Sequence, residues 1–164
     1  MRGMAAARLP AMLLAAVLLA GCGGRAKKPQ ASGEREWIDN ASGFVDGLVS
    51  SVELSANGGS NLASARRALR NDSDLYVILV AYTRFGGCQQ TLANVGVPTP
   101  RVRKVERTLR LACAKLERAA RLFTRAITDS DPRALVAANR LALAAEPILS
   151  RAKEQLADVR PAPD

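Results

Sequence analysis

The chain has 164 residues, of which 24 are lysine or arginine and 15 are aspartate or glutamate, so its formal net charge is +9. This length suits one domain, and an aromatic content of only 4% beside abundant alanine, leucine and arginine favours helix over strand. Because the sequence contains no histidine, histidine-based catalytic triads and nearly all imidazole-ligated metal sites are excluded. The positive charge favours anionic partners, although an arginine-rich composition also arises from a GC-rich genome.

The first 21 residues have the organisation of an export signal. Arg2 and Arg8 give it a positive start, and an apolar run follows from Ala11 to Ala20. This run of about ten residues is too short for a bilayer-spanning helix, which needs about twenty, so it indicates a signal and not an anchor. Its removal leaves 22 basic and 15 acidic residues, a net charge of +7.

The signal ends in Leu19-Ala20-Gly21-Cys22. This tetrapeptide resembles the lipobox of bacterial lipoproteins at every position: an aliphatic residue, two small residues and the cysteine. The resemblance implies cleavage before Cys22, acylation of Cys22 and a lipid-anchored, extracytoplasmic location, on the cell membrane or on an outer membrane if the bacterium has one. The alternative is an ordinary secretory signal that happens to end beside a cysteine.

Residues 22–33 are predicted to be the lipidated cysteine and a tether. The segment consists mainly of Gly, Lys, Arg, Pro, Gln, Ala and Ser without apolar periodicity, which predicts a flexible leash of roughly 20 Å root-mean-square span. Arg25, Lys27 and Lys28 would lie within a Debye length of the bilayer, where each adds attraction to anionic lipid or simply solubility.

Residues 34–160 are predicted to form one domain with four helical segments, separated by Gly, Pro, Asn and Asp. The first segment runs from Glu34 to Ala56, and Gly43 and Gly47 within it predict close approach of a neighbouring helix. Its apolar residues recur every three or four positions, as one helix face requires. They are Trp37, Ile38, Ala41, Phe44, Val45, Leu48 and Val52.

The second segment begins near Ser60 or Asn61 and enters the apolar run from Leu75 to Phe85. This run fits either a strand or a helix that is buried on most sides. Because no second strand is predicted elsewhere to pair with it, helix is favoured. After Gly86-Gly87, a short helical stretch is predicted from Cys88 to Asn94.

The third segment opens at Pro100, and its apolar positions recur at steps of three or four residues without a gap. They are Val102, Val105, Leu109, Ala112, Leu116, Ala119, Phe123 and Ile127. Asp131 and Pro132 then predict the N-cap and first turn of a fourth helix, which Pro147 is predicted to kink. The stripe of this helix comprises Leu135, Ala138, Ala142, Ala145, Leu149, Ala152 and Leu156. Short connections then favour an all-α domain folded as an antiparallel four-helix bundle.

Cys88 and Cys113 are the two cysteines that remain if Cys22 is lipidated. An even number of cysteines in an oxidising compartment predicts a disulfide. A structural bond is favoured over a redox-active one because the spacing is not Cys-x-x-Cys and no histidine is present. Two reduced cysteines on a buried helix face are the alternative.

Six arginines of the third segment fall within about 80° of one another on the helix, opposite the apolar stripe. They are Arg103, Arg107, Arg110, Arg118, Arg121 and Arg125. Glu106 and Glu117 each precede one of these arginines by four residues, so two ion pairs are predicted, with Arg110 and with Arg121. The planar guanidinium group suits phosphate and carboxylate, which predicts a surface for an anionic partner. The alternative is a solvated outer face.

No catalytic residue, metal site or cofactor is predicted. Every methionine lies in the signal, at Met1, Met4 and Met12, so thioether copper sites are excluded from the mature chain. The aspartates at Asp72 and Asp74, and at Asp129 and Asp131, lie at helix starts or bends, where capping explains them. We therefore expect a protein that is not an enzyme.

Three classes of function fit these observations. The first is an interaction module that docks anionic lipid, a cell-wall polymer or an envelope protein; nucleic acid is not an expected partner of an exported chain. The second is a carrier for a small apolar ligand, with a pocket near Tyr76, Tyr82, Phe85, Phe123 and the Pro147 kink. The third is a structural protein of the envelope.

Overall fold

The computed structural model describes residues 33–56 and 58–160. The export signal, Cys22 and the tether up to residue 32 lie outside the described residues. Within those ranges all regular secondary structure is helical, which confirms the all-α prediction. The helices are α1 Glu34–Ala56, α2 Leu62–Ala68, α3 Asp72–Gly86, α4 Cys88–Asn94, α5 Arg103–Thr128, α6 Pro132–Leu143 and α7 Glu146–Val159.

Helix α1 has the predicted limits and buries the predicted stripe, with Phe44 only partly buried at its edge. The prediction for Gly43 and Gly47 was wrong, because no atom of a packed neighbour lies within 4 Å of the position that a Cβ would take at either residue. Close approach occurs instead after the helix ends. A Cβ on Gly58 would overlap the end of the Ile78 side chain, so a larger residue in this turn would displace Ile78 from its buried position.

The run from Leu75 to Phe85 is helical, as predicted, and lies within α3. The Asn71 side chain caps the helix by accepting from the backbone N–H groups of Ser73 and Asp74. However, α3 is buried on one side only, so the expectation that it is buried on most sides was wrong. Its exposed apolar residues are Tyr76, Val77, Leu79 and Val80.

The third predicted segment corresponds to α5, which begins at Arg103 and not at Pro100. Pro100 lies in a preceding turn, in which the Val102 backbone N–H donates to the Thr99 carbonyl at 3.1 Å. The predicted apolar stripe is buried from Val102 to Phe123, whereas Ile127 at its far end remains 38% exposed.

The predicted fourth helix is divided into two helices, α6 and α7, and not merely kinked. Asp131 caps α6 as predicted, because its carboxylate accepts from the Arg133 backbone N–H at 2.8 Å. Pro147 lies in the first turn of α7, where the N–H that proline lacks would have no helical partner in any case. The apolar stripe nevertheless continues across the break, since Ala142, Ala145 and Leu149 are all fully buried.

The long helices pack in a closed ring in which α1 contacts α3 and α7, and α5 contacts the same two helices. Helix α6 packs along α5, so the two halves of the broken helix follow one partner. Alanine is the most frequent buried residue of α5 and of α6, and such small side chains let helix axes approach closely. The buried alanines are Ala112, Ala119, Ala120 and Ala126 of α5 and Ala134, Ala138 and Ala142 of α6.

Candidate anionic-partner surface

The six predicted arginines, from Arg103 to Arg125, are all exposed on α5. The buried residues of this helix occupy the opposite side, so the guanidinium groups follow one outward face of the helix. We call this face the basic ridge. At 1.5 Å per residue the ridge is about 33 Å long, which is most of the length of the 26-residue helix α5.

Two of the six arginines have a carboxylate partner. Arg110 pairs with Glu106 at 2.7 Å, as predicted, and Arg125 pairs with Asp129 at 3.4 Å, which was not predicted. The predicted pair between Glu117 and Arg121 does not form. The Glu117 carboxylate instead accepts from the Gln89 backbone N–H at 2.9 Å, in the first turn of α4.

The remaining arginines of the ridge are unpaired within the part of the chain that the structure describes. No carboxylate there lies within the 4.0 Å ion-pair distance of Arg103, Arg107, Arg118 or Arg121. Their donors therefore face solvent and are free to bind an external anion. A guanidinium group offers five N–H donors in a fixed fork, the geometry that phosphate and carboxylate accept best.

The opposite side of the ring, between α1 and α7, has a different electrostatic character. Lys153 of α7 pairs with Asp46 of α1 at 2.8 Å, and Arg160 pairs with Asp39 at 3.5 Å. These cations are neutralised by partners on the neighbouring helix. Helix α5, by contrast, has eight basic and two acidic residues, the largest excess of positive charge on any one helix of the domain.

The basic ridge borders an apolar groove between α3 and α5. The groove has a volume of about 360 Å³, and α3 contributes Leu79, Tyr82, Thr83 and Gly86 to its wall. Helix α5 contributes Ala120, Phe123, Thr124, Ile127 and Thr128. An apolar residue also interrupts the ridge itself, because Leu111 is 63% exposed and lies one turn after Arg107.

The sequence did not reveal these exposed apolar positions, because a hydrophobic residue on a predicted helix is first assigned to the core. The exposure of Leu111 could be predicted, because on the helix this residue lies beside the arginines and outside the buried stripe. The exposed side of α3 could not be predicted in this way, because polar residues do not mark one side of this helix.

The residues predicted to line a ligand pocket do not come together as a group. Tyr82 stacks on Phe123 with ring centroids 4.3 Å apart, and it meets Phe85 edge-on at 5.2 Å. These three rings fill the space between α3 and α5, and only Tyr82 and Phe123 reach the wall of the groove. Tyr76 faces outward, and Pro147 is exposed at the start of α7.

Tyr82 is the one strongly perturbed titratable group among the described residues. Burial raises the pKa of its phenol well above the ordinary value, and the neighbouring Ser55 hydroxyl opposes part of this rise. The phenol oxygen nevertheless has no hydrogen-bond partner in the described part of the chain. Ser55 instead donates to the Val52 carbonyl at 2.7 Å or, at 3.4 Å, to the Asn139 side chain.

Cys88 and Cys113 form the predicted pair. Their sulfurs lie at disulfide distance, 2.09 Å apart, and their Cα atoms are separated by 5.2 Å. The bond joins the start of α4 to the middle of α5, and both cysteines are fully buried. It thereby holds α4 against α5.

Among the described residues, no group of three or more Cys, Asp or Glu side chains is arranged to hold a metal ion, and no helix is long and apolar enough to cross a membrane. No protein-family model, curated protein or solved structure matches the chain.

Proposed function

We propose that this protein is a lipid-anchored, extracytoplasmic interaction module that is not an enzyme and that docks an anionic component of the cell envelope through the basic ridge. The observation that carries the proposal is the set of four exposed arginines on one face of α5 that have no carboxylate partner among the described residues. A face of this kind attracts anions over a distance of about one Debye length, roughly 8 to 10 Å.

The anchor in this proposal is acylated Cys22, at the end of the lipobox. Burial of acyl chains contributes about 0.8 kcal/mol for each methylene, so two or three chains hold a protein on the bilayer almost permanently. Glu34, at the start of α1, accepts from the Thr99 hydroxyl at 2.6 Å and from Arg101 at 3.1 Å. These contacts place the beginning of the domain beside the start of α5, so the tether would leave near the Arg103 end of the ridge.

We further propose that the domain is an antiparallel four-helix bundle. In this description α1, α3, α5 and the broken helix formed by α6 and α7 are the four members, while α2 and α4 are short helices in the connections. The closed ring of contacts among α1, α3, α5 and α7 supports it.

The proposed role of the ridge is tested by the salt concentration that elutes the protein from an immobilised polyanion. The test variant combines Arg107→Gln, Arg118→Gln and Arg121→Gln. The matched control removes the same number of charges from exposed positions on α6 and α7, and it combines Arg133→Gln, Arg140→Gln and Arg151→Gln.

We expect the ridge variant to elute at a clearly lower salt concentration than the control variant, although their net charges are identical. A clustered set of arginines binds several anionic groups at once, whereas scattered arginines do not. Equal shifts in the two variants would mean that only net charge matters, and the ridge would then have no special role.

A further inference from the structure

We infer that the anionic partner of the ridge is the phospholipid surface of the membrane that carries the anchor, and that the α3–α5 side of the domain lies on this surface with its apolar residues inserted. This inference rests on the proposed function and names its partner. Throughout, the α3–α5 side means the basic ridge, the groove beside it and the outward residues of α3.

The exposed apolar residues of the domain are unevenly distributed. The described residues include nine exposed large apolar side chains, of which six lie on α3 or α5 and none on α1 or α7. The six are Tyr76, Val77, Leu79, Val80, Leu111 and Ile127. A concentration of exposed apolar residues on one side of a domain is typical of a surface that binds a protein or a membrane.

Three of these residues form a continuous apolar edge on α3. Tyr76, Leu79 and Val80 are spaced by three and four residues, so their side chains lie next to one another on the helix surface. Their exposures are 67%, 43% and 36%. Tyrosine is enriched at membrane interfaces because its ring is apolar and its hydroxyl remains among the headgroups.

The apolar edge and the basic ridge share the groove between α3 and α5. Leu79 lines the groove from α3, and Thr124 and Thr128 line it from α5. Arg121 lies one turn before Thr124, and Arg125 lies one turn before Thr128. Apolar and cationic groups therefore border one groove, the combination by which amphipathic surfaces bind anionic bilayers.

The anchor geometry favours the bilayer over a soluble polyanion. Ten residues, 23–32, separate Cys22 from the start of the described chain and span at most about 35 Å when extended. The domain begins beside the Arg103 end of the ridge, so a domain attached there can lay the whole ridge on the surface. A cell-wall polyanion would use the arginines but would leave the apolar residues of α3 without a partner.

The inference is tested with the lipidated protein in vesicles of neutral phosphatidylcholine, with or without anionic phosphatidylglycerol. In one variant Tyr76→Trp places a fluorescent reporter on the apolar edge. In the control Ala157→Trp places it between α1 and α7, on the opposite side of the ring. Trp37 is 1% exposed and contributes the same buried background to both variants.

We expect brominated lipid to quench the reporter at position 76, and its emission to shift to the blue, only in vesicles that contain phosphatidylglycerol. The reporter at position 157 is expected to show neither change. Adding the three ridge substitutions, Arg107→Gln, Arg118→Gln and Arg121→Gln, should abolish the response at position 76. High salt should weaken it, because exposed charges are screened.

A second pair of substitutions separates insertion from charge attraction. Leu79→Gln with Leu111→Gln, added to the reporter variant, should reduce quenching while leaving elution from the polyanion unchanged. Both leucines are exposed, so we expect the variant to remain folded, which its circular dichroism spectrum checks.

Absence of quenching at position 76 on anionic vesicles, or equal quenching at positions 76 and 157, would overturn the inference. If the ridge variant still eluted early from the polyanion, the proposed function would stand and the partner would be a polymer or a protein. If the polyanion test also failed, the proposed function would fall with the inference.

Discussion

At the scale of single residues, Tyr82 is the side chain whose placement is least explained by its chemistry. Its ring fits the core through stacking on Phe123 and edge contact with Phe85. Its hydroxyl is buried without a hydrogen-bond partner in the described residues. A buried hydroxyl in this state costs about 1 to 3 kcal/mol relative to water, so the aromatic contacts hold the residue in place against this cost.

Tyr82→Phe should therefore leave the free energy of unfolding at pH 7 unchanged or raise it by up to about 1 kcal/mol. At high pH we expect the wild type to lose stability. Burial raises the pKa of Tyr82 in the folded state, so the unfolded chain ionises first, and the free energy of unfolding falls as the pH rises above about 10.

Urea unfolding at pH 7 and at several values above pH 10 measures both effects. The phenylalanine variant should lose less stability than the wild type over the alkaline range. Tyr76→Phe serves as the control because Tyr76 is 67% exposed, and it should retain the wild-type decline. An identical decline in the wild type and in Tyr82→Phe would contradict this account of Tyr82.

At the scale of helices, the disulfide ties the short helix α4 to the long helix α5. Helix α4 has only seven residues and no side-chain cap at its N-terminus, and it is held by the bond from Cys88 to Cys113 and by Glu117. An isolated helix of this length is not stable in water. The stability of α4 therefore comes from α5.

Reduction of the disulfide should lower the free energy of unfolding by about 3 kcal/mol, because the bond closes a loop with a sequence separation of 25 residues. Chemical unfolding with and without reductant measures the difference. A variant with both Cys88→Ala and Cys113→Ala should show no response to reductant. A reductant effect of the same size in that variant would show that the disulfide is not the cause.

The helices could be predicted from the sequence where a property repeats along one element. The three- and four-residue spacing located α1 and the buried stripe of α5, and it placed the six arginines on the exposed side. Helix ends were less predictable, because they depend on the local turn. The chain forms a turn at Ala144 and Ala145, and Pro147 lies in the first turn of the next helix, α7. The spacing of apolar residues alone predicts one kinked helix.

Interactions between elements could not be predicted from the pattern of one helix. Glu117 has the correct spacing for Arg121, but an unpaired backbone N–H on α4 competes for its carboxylate. Gly43 and Gly47 have the spacing of a close-packing motif, yet no neighbouring helix approaches them. Both outcomes depend on how elements that are distant in sequence pack together.

At the scale of the whole molecule, charge and apolar exposure are both asymmetric. On the α1–α7 side, Lys153 and Arg160 are paired with carboxylates of α1, whereas the α3–α5 side combines exposed apolar residues with arginines that have no carboxylate partner among the described residues. This asymmetry suits a domain that is held at one end near a bilayer, because such a domain can turn one side toward the lipid surface. The lipid anchor is therefore the central claim of this account.

Intact mass measurement of the protein purified from the membranes of the cells that naturally produce it tests this claim most directly. The predicted result is a chain that begins at Cys22 and carries the added mass of a diacylglycerol group, with a further acyl group if the new N-terminus is modified. The same measurement on a Cys22→Ser variant should show no lipid mass. A wild-type chain that retains residues 1–21, or one that carries an unmodified Cys22, would contradict the account.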